Sequence, residues 1–378
     1  MSPAAATPLL GDRSPRAFLA RYWQRRALLV RSAVPGFAGL FTREALTGLA
    51  TRDDVESRIV VRTGRRYDLL HGPFRGADWK ALPARNWTLL VQGANLHSDA
   101  ADALLRRFAF IPYARLDDLM VSYAAPGGGV GPHFDSYDVF LLQGFGRRQW
   151  RYGRQSDLAL REDLPVKILR RFEPAHEAVL AAGDMLYLPP SLAHDGTALD
   201  PCTTYSIGFR AASRTELAQA FLDFVRDRVD FPGRYADAGL RPTREPARIG
   251  TAMQRDATRQ LAKLRWSARE TARFLGEFLS EPKPSVFFEA PEPAGSPREF
   301  AAAARKRGVR LDRRTILLYD NDALYMNGET RAWPRGAKRA LQALADGRAL
   351  SPTQVKRLES GIITALYDDY RHGYLRAG

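Results

Sequence analysis

The sequence predicts an α+β protein in which a strand-rich middle section, from about residue 117 to 212, lies between helical segments. Two observations predict it. Five short β-type runs, Asp118–Tyr123, Val139–Gln143, Gln149–Tyr152, Met185–Leu188 and Thr203–Arg210, are punctuated by Gly and Pro; short strands at such spacing suit a sandwich or barrel. On either side of this section, apolar residues recur near period 3.6, the mark of amphipathic helices.

Taken in order, Phe18, Leu19, Tyr22 and Trp23 at helical spacing, followed by the apolar run Ala27–Val30, predict an entry helix running into a short strand. A second helix is expected over 43–50, strands over Ser57–Thr63 and Trp87–Gln92, and a helix over 98–109. His176, in EPAHEAVL, is expected on a helix or turn. Beyond the strand-rich section, 213–230 and 250–281 read as helical, with Pro242, Pro246, Pro282 and Pro284 as breakers. EAPEPAGSP (289–297) reads as a linker. After it come a helix (298–307), two apolar runs (Thr315–Tyr319 and Ala323–Met326) ahead of an Asn327-Gly328 turn, and a helix (335–346). Helix, hairpin, helix is the outline of a small winged-helix-like module.

A chain of 378 residues suits two or three domains, and 45% hydrophobic content is that of a globular protein. The single cysteine, Cys202, excludes an intrachain disulfide and a thiolate-rich zinc site and is compatible with a reducing cytosol. The opening MSPAAATPLLGDRS lacks the basic and long apolar regions of a secretory signal. No stretch approaches the roughly 18 apolar residues of a membrane span. A cytoplasmic protein is expected. Net charge is +15, from 57 Lys+Arg against 42 Asp+Glu. Such a balance suits work near polyanions, although the arginines are spread along the chain and form no single basic tract.

The chemistry is carried by two segments. In GGGVGPHFDSYDVFLLQGFGRRQW (127–150), His133 and Asp135 are two residues apart, which on a strand places both side chains on one face. In GDMLYLPPSLAHDG (183–196), a turn, a buried strand and Pro189-Pro190 precede His194, so one imidazole is delivered to a site built elsewhere. Two imidazoles and one carboxylate make the facial triad of non-haem Fe(II) oxygenases, which leaves positions open for a chelating co-substrate and dioxygen. A closed tetrahedral zinc site would not serve. His71, His97, His176 and His372 sit in less distinctive settings. Arg148, at the start of the strand after Gly144-Phe145-Gly146, suits bidentate capture of the distal carboxylate of a keto-diacid.

With these residues in view, the chain over 15–212 resembles the JmjC-type 2-oxoglutarate oxygenases, and within them the ribosomal oxygenase branch with its bacterial arginine hydroxylases. The resemblance rests on FLARYWQRRALLVR, DDLMVSYAAPGGGVGPHFD, YDVFLLQGFGRRQWR, GDMLYLPPSLAHDG and YSIGFR, in family order. It implies a double-stranded β-helix of the cupin or jelly-roll kind over 1–212, a helical dimerisation region over 213–288 and a winged-helix-like domain over 289–378. It implies that His133, Asp135 and His194 are catalytic and bind Fe(II), that Arg148 with Ser122 holds 2-oxoglutarate, and that dioxygen is the second co-substrate. It further implies a homodimer and β-hydroxylation of an arginine in the sixteenth protein of the large ribosomal subunit.

A cationic substrate calls for acidic neighbours; Asp138, Asp117 and Asp118 are the candidates. The basic surface would then favour action close to ribosomal RNA. Two alternatives stand beside this reading. One is the same chemistry on a histidine or another ribosomal or RNA target. The other is a non-catalytic cupin-like sensor carrying a DNA-binding module, although a sensor has no need of a keto-acid anchor.

Overall fold

Strands that are buried on both faces sort their side chains by period two, and this sorting builds the strand-rich part of the chain. The structure, a computed structural model, describes residues 7–378. Contacts divide it into two units. The first comprises the chain up to Ala211 with Pro282–Thr315 and Asp346–Gly378; the second comprises Ala212–Glu281 and Ile316–Ala345.

The first unit holds eleven strands before residue 212: β1 (Leu28–Val30), β2 (Ser57–Thr63), β3 (Arg66–His71), β4 (Trp87–Val91), β5 (Leu116–Ala124), β6 (Val139–Gln143), β7 (Arg148–Gly153), β8 (His176–Leu180), β9 (Met185–Leu188), β10 (Ala193–Ala198) and β11 (Cys202–Phe209). Eight form one antiparallel sheet in the order β1-β9-β6-β11-β5-β4-β2-β3, and three form a second in the order β10-β7-β8. In β6, Phe140 and Leu142 join the large core beneath the entry helix, whereas Val139 and Leu141 face the small sheet and pack with Trp150, Tyr152 and Leu180. β9 divides the same way, with Met185 and Tyr187 on one side and Leu186 and Leu188 on the other. The result is a two-sheet jelly roll, within the sandwich-or-barrel class that the strand spacing predicts and as the family resemblance implies.

Phe140 is the hub of the large core. It is fully buried, and its ring centroid lies 5.4 Å from Phe18, 4.9 Å from Phe108, 4.8 Å from Tyr187 and 5.8 Å from Phe209. Phe140→Ala is expected to cost about 3–5 kcal/mol, read as a lower midpoint in denaturant unfolding. A loss well under about 1 kcal/mol would show that the core collapses around the gap.

Two local expectations are corrected. His176 begins strand β8 rather than lying on a helix or turn; its backbone pairs with Tyr152 in β7. The segment 250–281 is two helices, Thr251–Leu261 and Ala268–Ser280. The second starts afresh because Ser267 and Glu270 form a capping box, with Glu270 N donating to Ser267 Oγ and Ser267 N to the Glu270 carboxylate.

In the second unit, the helices Arg214–Arg226 and Ala268–Ser280 meet through Phe221, Phe224 and Phe274. Gly276 is required where the latter helix crosses Tyr325, since a Cβ there would stand 2.3 Å from the ring. Strands Leu317–Tyr319, Ala323–Met326 and Glu329–Ala332 form an antiparallel meander. The last part of the first unit has its own small sheet, centred on Val309–Leu311, with helix Pro297–Arg307 packed on Ser360–Arg371 through Phe300 and Tyr370. Among the described residues no helix is long and apolar enough to cross a membrane.

Candidate active site

The jelly roll encloses a cavity of about 500 Å³, within the usual range of a small-molecule site. Its lining includes His133, Asp135, His194, Arg148, Ser122, Asp117 and Asp118. Among the described residues the one cluster of potential metal ligands is His133, Asp135 and His194, whose ligand atoms all lie within 4.8 Å of one another. His194 Nε2 is 3.6 Å from Asp135 Oδ2, and the two imidazole centroids are 4.2 Å apart.

The backbone brings them together. His194 is in β10; His133 lies outside the regular strands, in a single β-bridge to His194. His133 N donates to His194 O at 2.9 Å, and His194 N donates to His133 O at 2.8 Å. The glycine-rich approach makes this possible. Gly131 has φ +81°, and a Cβ there would meet Tyr67 Oη at 2.7 Å.

Hydrogen bonding also fixes the tautomers. His133 Nδ1 is 2.8 Å from Gly131 O, and His194 Nδ1 is 2.9 Å from Leu192 O. A carbonyl oxygen only accepts, so both Nδ1 atoms carry the proton and both Nε2 lone pairs are left for a ligand. Burial, helped by the neighbouring His133, pushes His194 down to about 4, which keeps its ring neutral and ready to bind. Two imidazoles and one carboxylate, with no thiolate, form a donor set that fits ferrous iron.

Arg148 supplies the second half of the site. It is 3% exposed. Its Nη1 donates to Ser122 Oγ and Thr204 Oγ1, each at 3.2 Å, and its Nη2 to Gly196 O at 3.3 Å. Its Nε has no partner, and no carboxylate among the described residues pairs with it. Burial works against its charge and lowers its pKa. A buried guanidinium without a counterion is costly, and here it faces a cavity that an anion can enter. Trp150, two residues along β7, lies 5.2 Å beneath the guanidinium, and its centroid is 6.0 Å from that of His194. Its buried Nε1 is also unpartnered.

The three candidate acids divide. Asp117 and Asp118 line the cavity. Asp138 does not: it is fully buried behind the wall, where it accepts from Tyr187 Oη at 2.6 Å and Gln24 Nε2 at 3.0 Å and lies 3.6 Å from Arg115 Nη2. Asp138 is therefore a structural carboxylate, not a substrate contact. Sequence reasoning missed Thr204, Trp150, Gln92 and Lys283. The first two had a signal, since Trp150 shares a strand face with Arg148 and Thr204 pairs with Ser122 across β11 and β5.

Residues 103–217 match the JmjC domain family, and residues 263–376 match the ROXA-like winged helix. The Escherichia coli (strain K12) ribosomal protein uL16 3-hydroxylase is 35% identical over 88% of this chain and 89% of its own. The chain belongs to the JmjC ribosomal oxygenase family. A probable ribosomal oxygenase of Haemophilus influenzae is 38% identical over 54% of the chain and 51% of its own length. The solved structure of YcfD, a ribosomal oxygenase from Escherichia coli in complex with cobalt and 2-oxoglutarate, superposes with TM-score 0.81 at 32% identity, covering 96% of this chain and 98% of that one. A ribosomal oxygenase fold thus carries the triad and Arg148 in one cavity.

Proposed function

We propose that this protein is an Fe(II)- and 2-oxoglutarate-dependent hydroxylase that adds a β-hydroxyl to an arginine of ribosomal protein uL16. The observation that carries the reading is the conjunction, in one cavity, of a two-histidine, one-carboxylate cluster with a buried arginine lacking a counterion. His133, Asp135 and His194 hold the metal, and their carbonyl-anchored rings keep both Nε2 atoms aimed inward. Arg148, steadied by Ser122 and Thr204, grips the distal carboxylate of 2-oxoglutarate. Bound ferrous iron with 2-oxoglutarate supplies the activation of dioxygen, with succinate and carbon dioxide as co-products. Leu141, Val139 and Leu90 wall the cavity and limit water at the reacting centre. Asp117 and Asp118 supply the negative charge that a guanidinium seeks.

The JmjC match over 103–217 and the winged-helix match over 263–376 support a catalytic part followed by a winged-helix part, for which the bounds 1–212 and 289–378 are the reading proposed here. Exposed Leu240, Ile249, Leu261 and Trp266 suit a homodimer formed through the 213–288 region. The +15 charge suits work beside ribosomal RNA in the cytoplasm. The sensor alternative gives the unpaired Arg148 nothing to do.

The test is mass spectrometry of an arginine-bearing uL16 peptide after incubation with the enzyme, Fe(II), ascorbate and 2-oxoglutarate. The expected result is a gain of one oxygen on the arginine that depends on 2-oxoglutarate. Succinate release without peptide oxidation would keep the chemistry and discard the target. Neither product would overturn the reading and return the sensor.

A further inference from the structure

Asp118 sits in the cavity wall with its two oxygens in different surroundings. Oδ2 takes three donors: Gln92 Nε2 at 2.7 Å, Gly93 N at 3.1 Å and Lys283 Nζ at 3.2 Å. Oδ1 accepts no hydrogen bond from the described residues. It lies toward Gly208, another cavity-lining residue, 3.8 Å from where a Cβ would stand there. Lys283 reaches across to the second acid as well, with Nζ 3.1 Å from Asp117 Oδ1; Arg210 Nε is 3.7 Å from that same oxygen. Lys283 is not itself a wall of the cavity and comes from a segment 165 residues away in sequence.

Two adjacent carboxylates in a partly desolvated wall repel one another and disfavour ionisation. Burial indeed pushes Asp118 up, with Asp117 adding to the shift and Lys283 opposing it. Burial disfavours the Lys283 ammonium too, but the two carboxylates outweigh it and raise its pKa. The ammonium is thus a fixed charge. Lys283 and Arg210 both face Asp117, whereas Asp118 meets Lys283 through Oδ2 alone, so Oδ1 of Asp118 is the acidic oxygen left facing Gly208.

We propose that Lys283 is a positioning residue for the substrate: by holding Oδ2 of Asp118 and neutralising Asp117, it presents Oδ1 of Asp118 to the cavity as the seat for one cationic side chain. The inference rests on the function proposed above and deepens it. Without Lys283, Asp118 would more readily take a proton and turn from acceptor to donor, and Asp117 would lose its main partner. Selectivity for a cation over a neutral isostere would fall.

The experiment compares a fluorescent arginine peptide from uL16 with the same peptide carrying citrulline, which keeps the shape and lacks the charge. Affinities are read by anisotropy on full-length protein with Mn(II) and 2-oxoglutarate under argon. Wild type is expected to favour arginine. Lys283→Met is expected to weaken arginine binding roughly tenfold, the scale of a hydrogen bond to a charged group, while leaving citrulline binding and 2-oxoglutarate affinity unchanged; Lys283→Arg restores the preference. A misfolded variant would lose both peptides together, so the ratio isolates the positioning effect. Unchanged or tighter arginine binding in Lys283→Met overturns the proposal, the second result marking Lys283 as a mere occupant of the seat. Arginine preference in wild type, with no oxidation of the same peptide once Fe(II) and air replace Mn(II) and argon, would instead overturn the functional reading and leave the seat standing.

Discussion

Asp135→Ala is expected to reduce hydroxylation and 2-oxoglutarate turnover to background while the fold survives. Asp135 is the one carboxylate of the cluster, and among the described residues its side chain has no partner beyond the approach of His194. Its side chain is only partly buried, so truncation leaves no large core gap. Loss of an outer-shell partner typically costs about 10–100-fold in metal affinity or activity, and loss of a ligand exceeds that. Metal content after dialysis against Fe(II) or Co(II), measured beside succinate release and a thermal melt, checks the prediction. A variant that retains both metal and turnover would remove Asp135 from the site.

Arg148→Met is expected to pull two quantities apart. The requirement for 2-oxoglutarate should rise on the order of 10²-fold, because a buried charge would lose its designated partner on binding. The unliganded protein should melt no lower than wild type, and by a few degrees higher if anything. The reason is the unpartnered Nε and the lack of any paired carboxylate, which make Arg148 a burden on the empty fold. A methionine of comparable length removes that burden. Titration of 2-oxoglutarate by succinate release and a melt with and without 2-oxoglutarate test both parts. A destabilised apo variant would mean that the hydrogen bonds to Ser122, Thr204 and Gly196 outweigh the cost of burying the charge.

The convergence of His133, Asp135 and His194 was legible because its signal is local. His133 and Asp135 are separated by a single residue, and His194 follows a turn, a buried strand and a proline stop whose lengths are fixed by chain geometry. Even so, the reason for their proximity differs in detail from the expectation. His133 is not in a continuous strand; one bridge holds it, and Asp135 lies outside any strand. The acidic side of the cavity was only half legible. Asp138 stands three residues beyond Asp135, but its carboxylate turns to Tyr187, Gln24 and Arg115. Nothing local distinguishes that outcome from the one reached by Asp118, because the deciding partners lie far away in sequence. Lys283 was invisible for the same reason: no pattern near it announces that it closes a 165-residue loop onto Asp118. Most of the helices and strands followed from periodicity, whereas His176 fell to a strand because its backbone partner, Tyr152 in β7, offers an open edge that local propensity cannot anticipate.

The reciprocal backbone bridge between His133 and His194 has a thermodynamic consequence. Many small metal sites assemble only as the ion arrives, so that chelation and chain ordering share one free energy. Here the two imidazoles are already brought within reach of each other by main-chain hydrogen bonds that need no ion. Folding therefore does not wait on occupancy, and a bound ion adds its binding free energy to a scaffold already formed. Stripping the centre with a chelator should leave an intact scaffold that accepts a different divalent ion on refilling, and the identity of the ion would be decided by supply and not by the stability of the protein around it.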